Sequence, residues 1–113
     1  MAETFSRESA AIQAAGYTIY SAPNNADSDR AVVLSVMLAN VSTSASVDVT
    51  ARLQVSGGGF MTGGHLAKEI TIAADSTLEL IPNKLVLKRN EKLHLLASTD
   101  NRLEATISVL EIT

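Results

Sequence analysis

The side chains of this 113-residue chain that could do chemistry are two histidines, twelve acids and a plentiful set of serines. A metal site or a histidine base would need partners at short, regular spacing. His65 and His94 are far apart, and neither lies two or four positions from another histidine. Both read as surface side chains. The serines fall in turns and form no Gly-x-Ser-x-Gly, so no nucleophile elbow is present. Paired carboxylates for sugar cleavage must face each other across a cleft. Here Asp27, Asp29, Asp75, Asp100 and Glu104 are scattered through turns and outward strand positions. Only the loop with Asn24, Asn25, Asp27 and Asp29 gathers enough oxygen ligands to be a candidate for a hard cation. The sequence has no tryptophan to serve as a sugar-stacking platform. The expectation is therefore a protein that is not an enzyme, with no cofactor and no metal.

Partners are bounded by charge and hydropathy. Net charge is −3, and Glu91 interrupts the densest basic stretch, Lys84, Lys88, Arg89 and Lys92. Nucleic-acid binding needs a concentrated positive face, so it is not expected. Membrane insertion is not expected either, because no apolar run approaches the ~20 residues of a spanning helix. The opening residues lack a basic start followed by an apolar segment, so synthesis in a cytoplasm is expected. There is no cysteine, which excludes disulfides and thiolate metal sites within this sequence.

The elements that would position any site are strands. Residues 47–55 alternate strictly, with Val47, Val49, Ala51, Leu53 and Val55 on one face and Asp48, Thr50, Arg52 and Gln54 on the other. A period of two marks a half-buried strand. In the run before it, Val32, Leu34, Val36 and Leu38 share a face, while the opposite face carries Val33, Ser35, Met37 and Ala39. That opposite face is too apolar for simple exposure to water. It predicts a central strand covered on both sides, or one whose outer face meets a partner. Further strands are predicted at 17–22, 66–72, 77–80, 85–87, 92–98 and 103–112, separated by polar turns at 73–76, 88–91 and 99–102. In the last strand the phase switches at Leu110 and Ile112, as at a bulge or in a tail packed elsewhere. The predicted core is Leu34, Val36, Leu38, Val49, Leu53, Ile70, Ile72, Ile107 and Val109. About eight short strands with regular turn signals predict an all-β domain: an antiparallel β-sandwich, jelly-roll-like.

Two segments stand apart. Residues 1–16 read as a short N-terminal arm ahead of a sandwich domain at 17–113. The arm offers only Phe5 and Ile12 as large apolar side chains, with a short helix over 9–15 ended by Gly16. Either it frays or it orders against a neighbouring subunit. Residues 56–65 hold five of the six glycines and read as a mobile loop with Phe60 and Met61 near its middle. Those two side chains either tuck back onto the sandwich or go to a partner. Candidate partner-binding residues are thus Phe5, Ile12, Val33, Met37, Phe60 and Met61.

From Tyr17 onward the chain resembles small all-β structural proteins of tailed phages. The resemblance rests on the order of short phrases: a strand ending near Pro23, a strand closing on Asn40-Val41-Ser42, then residues 66–72, 76–80, 84–87, 93–98 and 107–112. Residues 88–91 stand in place of a Gly-Asp turn, and the glycine-rich loop is longer than in the family pattern. The resemblance implies a non-enzymatic virion building block that self-associates, with a homotrimer favoured. It would bind the major capsid protein as a decoration or cement protein, or sit among neck or tail proteins. It supplies no catalytic residues. The alternative function is a receptor- or carbohydrate-binding module. The implied location is the virion, after synthesis in the host cytoplasm.

Overall fold

The computed structural model describes residues 3–26, 28–55, 59–81 and 83–113. They form nine strands: β1 (Glu3–Ile12), β2 (Tyr17–Ser21), β3 (Arg30–Asn40), β4 (Val47–Gln54), β5 (Phe60–Ile72), β6 (Thr77–Glu79), β7 (Leu85–Lys88), β8 (Lys92–Ala97) and β9 (Leu103–Ile112). One sheet has the order β1-β9-β3-β6, with β7 also on β3; the other has the order β2-β8-β4-β5. All pairings are antiparallel. The chain passes repeatedly from one sheet to the other, which gives a jelly-roll sandwich. No helix is present among the described residues.

Alternation puts one face of each sheet into a shared core. Val33, Val36 and Leu38 of β3, Val47, Val49 and Ala51 of β4, Leu93 and Leu95 of β8, and the series Leu103, Ala105, Ile107 and Val109 of β9 are all buried there. The three expected turns at 73–76, 88–91 and 99–102 form, each with one residue at positive φ: Asp75, Asn90 and Asn101. Asp and Asn tolerate that region because their short side chains bond the local backbone.

Four expectations are corrected. First, residues 9–12 continue a strand and do not start a helix. β1 runs in unbroken register with β9 from Glu3 opposite Ile112 to Ile12 opposite Leu103, so the segment expected as an arm is, over these ten residues, an edge strand of the first sheet. Gly16, at φ 87°, closes the β1–β2 turn instead of a helix. Second, the inward phase of β3 changes partway. A register shift between Val33 and Ser35 leaves Leu34 without a partner on β9. Ala31 and Val33 point inward before it and Val36 and Leu38 after it, so Val33 is a core residue, while Leu34, expected in the core, and Val32 are only partly buried. The bulge thus lies in β3, opposite the point where a switch was expected near the end of β9. Third, Leu53 is only half-buried and Ile70 is exposed. Three register shifts in the β4–β5 pair disrupt the simple alternation there, and Glu69 at φ 53° marks one of them. Fourth, β5 begins at Phe60, inside the stretch expected to be a loop. Ser56, Gly57 and Gly58 of that loop, with Pro82 and the Asp27 of the candidate cation loop, lie outside the described residues.

Asn40 and Glu79 hold the places where strands leave a sheet. The Asn40 side chain donates to the carbonyls of Ala45 (2.9 Å) and Ile72 (3.0 Å) and accepts from the Ser42 N–H (2.9 Å). It ties the end of β3 to the last residue of β5 in the opposite sheet. The Glu79 carboxylate accepts the Val36 and Ile81 N–H groups, each at 2.9 Å. It fills the break between β6 and β7, both of which pair with β3.

Candidate interaction surface

The polar groups buried in the sandwich are committed to structure. Tyr20 of β2 donates its hydroxyl to the Glu111 carboxylate of β9, joining the sheets at one end. Burial, then that hydrogen bond and the nearby acids, push the phenol far above its ordinary range. It stays protonated and serves as a donor. In the loop considered for a cation, Asp29 is buried, and one of its oxygens accepts the N–H groups of Asn25 (2.7 Å) and Ala26 (3.0 Å). That oxygen shapes the loop. No cluster of three or more metal-ligating side chains occurs among the described residues.

On the outer face of the β2-β8-β4-β5 sheet the Phe60 ring is 44% exposed, and its neighbours engage it. The pairing sets Arg52 beside His94 and Gln54 opposite Phe60. The Arg52 guanidinium lies 3.4 Å from the centre of the Phe60 ring, a cation–π contact. The His94 ring meets Phe60 edge-on at 5.2 Å and 79°. On its other side His94 abuts Gly16, where an added Cβ would come within 2.6 Å of the imidazole. Thr18 Oγ1 donates to Gln54 Oε1 at 2.6 Å beside this group. Burial first, and then the Arg52 charge, hold His94 below the usual histidine range.

The outer face of the β1-β9-β3 sheet is different. Phe5 pairs with Leu110, Leu110 with Val32, and Val32 with Val86. These residues form one straight apolar row across β1, β9, β3 and β7. Phe5 is 75% exposed and Val86 is 54% exposed. An open depression of about 360 Å³ beside the row is lined by Phe5, Arg7, Leu34 and Ser108, among others. Met37 stands on the same face, opposite Thr106 and 40% exposed. At the end beyond the row Glu3 pairs with Ile112, Ile112 with Arg30, and Arg30 with Lys88.

The six residues expected to bind a partner therefore divide. Phe5 and Met37 share one exposed face. Phe60 and Met61 begin β5 at the far sheet, with Phe60 engaged by Arg52 and His94. Ile12 and Val33 are fully buried. They have no surface to offer, because Ile12 faces Leu103 and the β3 bulge turns Val33 inward. Sequence reasoning missed Leu110, Val32 and Val86. The off-phase Leu110 was a visible signal, but the row exists only once four strands are in register.

No family model matches the chain, and no curated protein sequence does. Solved structures match it from end to end. A chain from the disulfide-linked pili formed by Bacillus endospore appendages superposes with TM-score 0.57 at 16% identity, over 99% of this chain and 87% of that one. A chain from the acid-stable capsid of Helicobacter pylori bacteriophage KHP30 superposes with TM-score 0.53 at 12% identity, over 100% of this chain and 89% of that one. A chain from the infectious bursal disease virus particle gives TM-score 0.54 at 14% identity, over 97% of this chain but 31% of that one, so this chain spans about a third of its length. What is shared at such identities is the fold, an antiparallel β-sandwich also used by subunits of viral capsids and of pili.

Proposed function

We propose that the chain is a non-enzymatic virion structural protein that self-associates and binds the surface of a capsid as a decoration or cement protein. The observation that carries this reading is the end-to-end match with a chain of similar extent from a phage capsid: the superposition covers 100% of this chain and 89% of that one. The exposed apolar face, with Phe5, Val86 and Met37, supports it, since contiguous apolar surface marks interaction sites. The Tyr20–Glu111 pair and the Asp29 loop agree with it, because their polar groups are turned to holding the fold. A neck or tail position would call on the same surface chemistry. The pilus match favours a second reading, a subunit of a surface filament. This sequence has no cysteine, so such a filament would have to form without the disulfide links of the endospore appendages.

Co-expression with the products of the genes flanking its own, followed by gradient sedimentation, tests the proposal. The chain is expected to travel with particles at a fixed ratio. If particles form and the chain stays at the top of the gradient, the capsid reading is wrong. If the chain polymerises alone into filaments, the second reading replaces it.

A further inference from the structure

We propose that the outer face of the β1-β9-β3-β7 surface pairs with the same face of a second copy, about a twofold axis running parallel to the strands between β9 and β3. This rests on the self-association proposed above and names the surface that would carry it. A twofold interface must be self-complementary: each residue meets the residue that the axis assigns to it. An axis along the strands keeps every residue at its own level and exchanges β1 with β7 and β9 with β3.

Three features of the face fit that exchange. The row Phe5, Leu110, Val32, Val86 falls on its own reverse, so Phe5 lies over the partner's Val86 and Leu110 over the partner's Val32. Four strands at ~4.8 Å spacing make this a dry seam roughly 15 Å long. At the neighbouring level, the order Glu3, Ile112, Arg30, Lys88 sets Glu3 over the partner's Lys88 twice per dimer, acid on base. Ile112 meets the stem of the partner's Arg30, whose Nε is turned to the Ser28 carbonyl at 3.2 Å. The third feature is shape. Leu34, the extra residue of the β3 bulge, stands at the level of Ser108 and Val109. The exchange carries it over the partner's β9, into the depression lined by Phe5, Arg7, Ser108 and the partner copy of Leu34 itself.

Sedimentation equilibrium of the full chain tests the interface by charge reversal. Glu3→Lys alone, or Lys88→Glu alone, opposes like charges twice per dimer. Each should raise the dimer dissociation constant roughly threefold to thirtyfold. The double variant E3K/K88E should return it to within about threefold of the original. Both residues are exposed, and an unchanged unfolding midpoint verifies that each variant folds. A chain monomeric at all concentrations overturns the proposal, as does a dimer indifferent to the single changes or one that the double change does not rescue. The result is separable from the capsid test. A monomer that still travels with particles removes this interface and spares the virion reading. A rescued dimer that never joins particles keeps the interface and removes that reading.

Discussion

On one side of the sandwich Phe60 lies under the Arg52 guanidinium and against the edge of His94. On the other side Phe5, Leu110, Val32 and Val86 line up across four strands, with Phe5 and Val86 facing water. Both faces belong to half-buried sheets built on the same alternation, so propensity does not separate them. Cross-strand partners do. On the first face a cation and an imidazole fall beside the ring and use its surface within the chain. On the second, apolar residues fall beside one another, and no ring or cation contact among the described residues engages Phe5. An exposed aromatic is thus informative about partners only when its lateral neighbours are known.

The edges of the two sheets differ in the same sense. β1 pairs with β9 without a shift, whereas β5 breaks register three times against β4. Bulges twist an edge away from pairing with other chains. The sheet with the engaged face therefore has an irregular edge at β5, whereas the sheet with the open face has one regular edge, at β1, and one interrupted between β6 and β7.

The contrast can be sharpened by substitutions, beginning with the core beneath both faces. Ile107→Ala, at a fully buried site, should lower unfolding stability by about 2–5 kcal/mol, measured by denaturant titration. Leu53→Ala, half-buried, should cost clearly less. Equal losses would mean that the packing on the β4 side is misassigned. Asn40→Ala comes next. It strips partners from the Ser42 N–H and from the Ala45 and Ile72 carbonyls, for about 1–3 kcal/mol. Asn40→Asp, which keeps the acceptor and loses the two donated bonds, should also destabilise the fold.

The faces themselves should separate in the next pair. Phe60→Ala removes the contacts with Arg52 and His94 and should cost about 1 kcal/mol of stability while leaving assembly unchanged. Phe5→Ala and Met37→Lys should leave stability within about 0.5 kcal/mol and weaken self-association in light scattering. The reverse pattern would exchange the roles of the two faces.

The smallest effect is electrostatic. His94 is held below its unfolded-state value by burial and by Arg52, so between the two values the unfolded chain binds more protons than the folded one. Stability should then rise with pH through that window. It should be fully present above about pH 6.5 and decline as pH falls toward the folded-state value. His94→Gln should flatten this slope, and an identical slope in the variant would assign it to other groups.

How much of this could be read from sequence depends on how locally each feature is encoded. β9 was legible in its bounds and, from Leu103 to Val109, in its facing, because Leu103, Ala105, Ile107 and Val109 alternate without interruption; the switch expected at Leu110 is instead a shift in β3. Asp75, Asn90 and Asn101 marked their turns for a local reason, tolerance of positive φ. β1 was missed because it is an edge strand whose only fully buried side chain is Ile12. Its backbone ladder with β9 leaves no trace in side-chain pattern, and its alanines suggest a helix. The facing of Val33 failed because one unpaired residue, Leu34, shifts the phase, and nothing local distinguishes that bulge from a continuous strand. The candidate surface was legible only in pieces: Phe5 and Met37 stood out singly, while the row joining Phe5 to Val86 is a property of register between distant segments.

Which face closes when copies assemble is measured directly by hydroxyl-radical footprinting read by mass spectrometry. The chain is oxidised once when dilute and once when concentrated enough to associate, and the labelling of Phe5, Met37 and Phe60 is compared. Phe5 and Met37 should lose labelling on assembly while Phe60 keeps the labelling it had. Protection of Phe60 with Phe5 and Met37 unchanged would contradict that expectation.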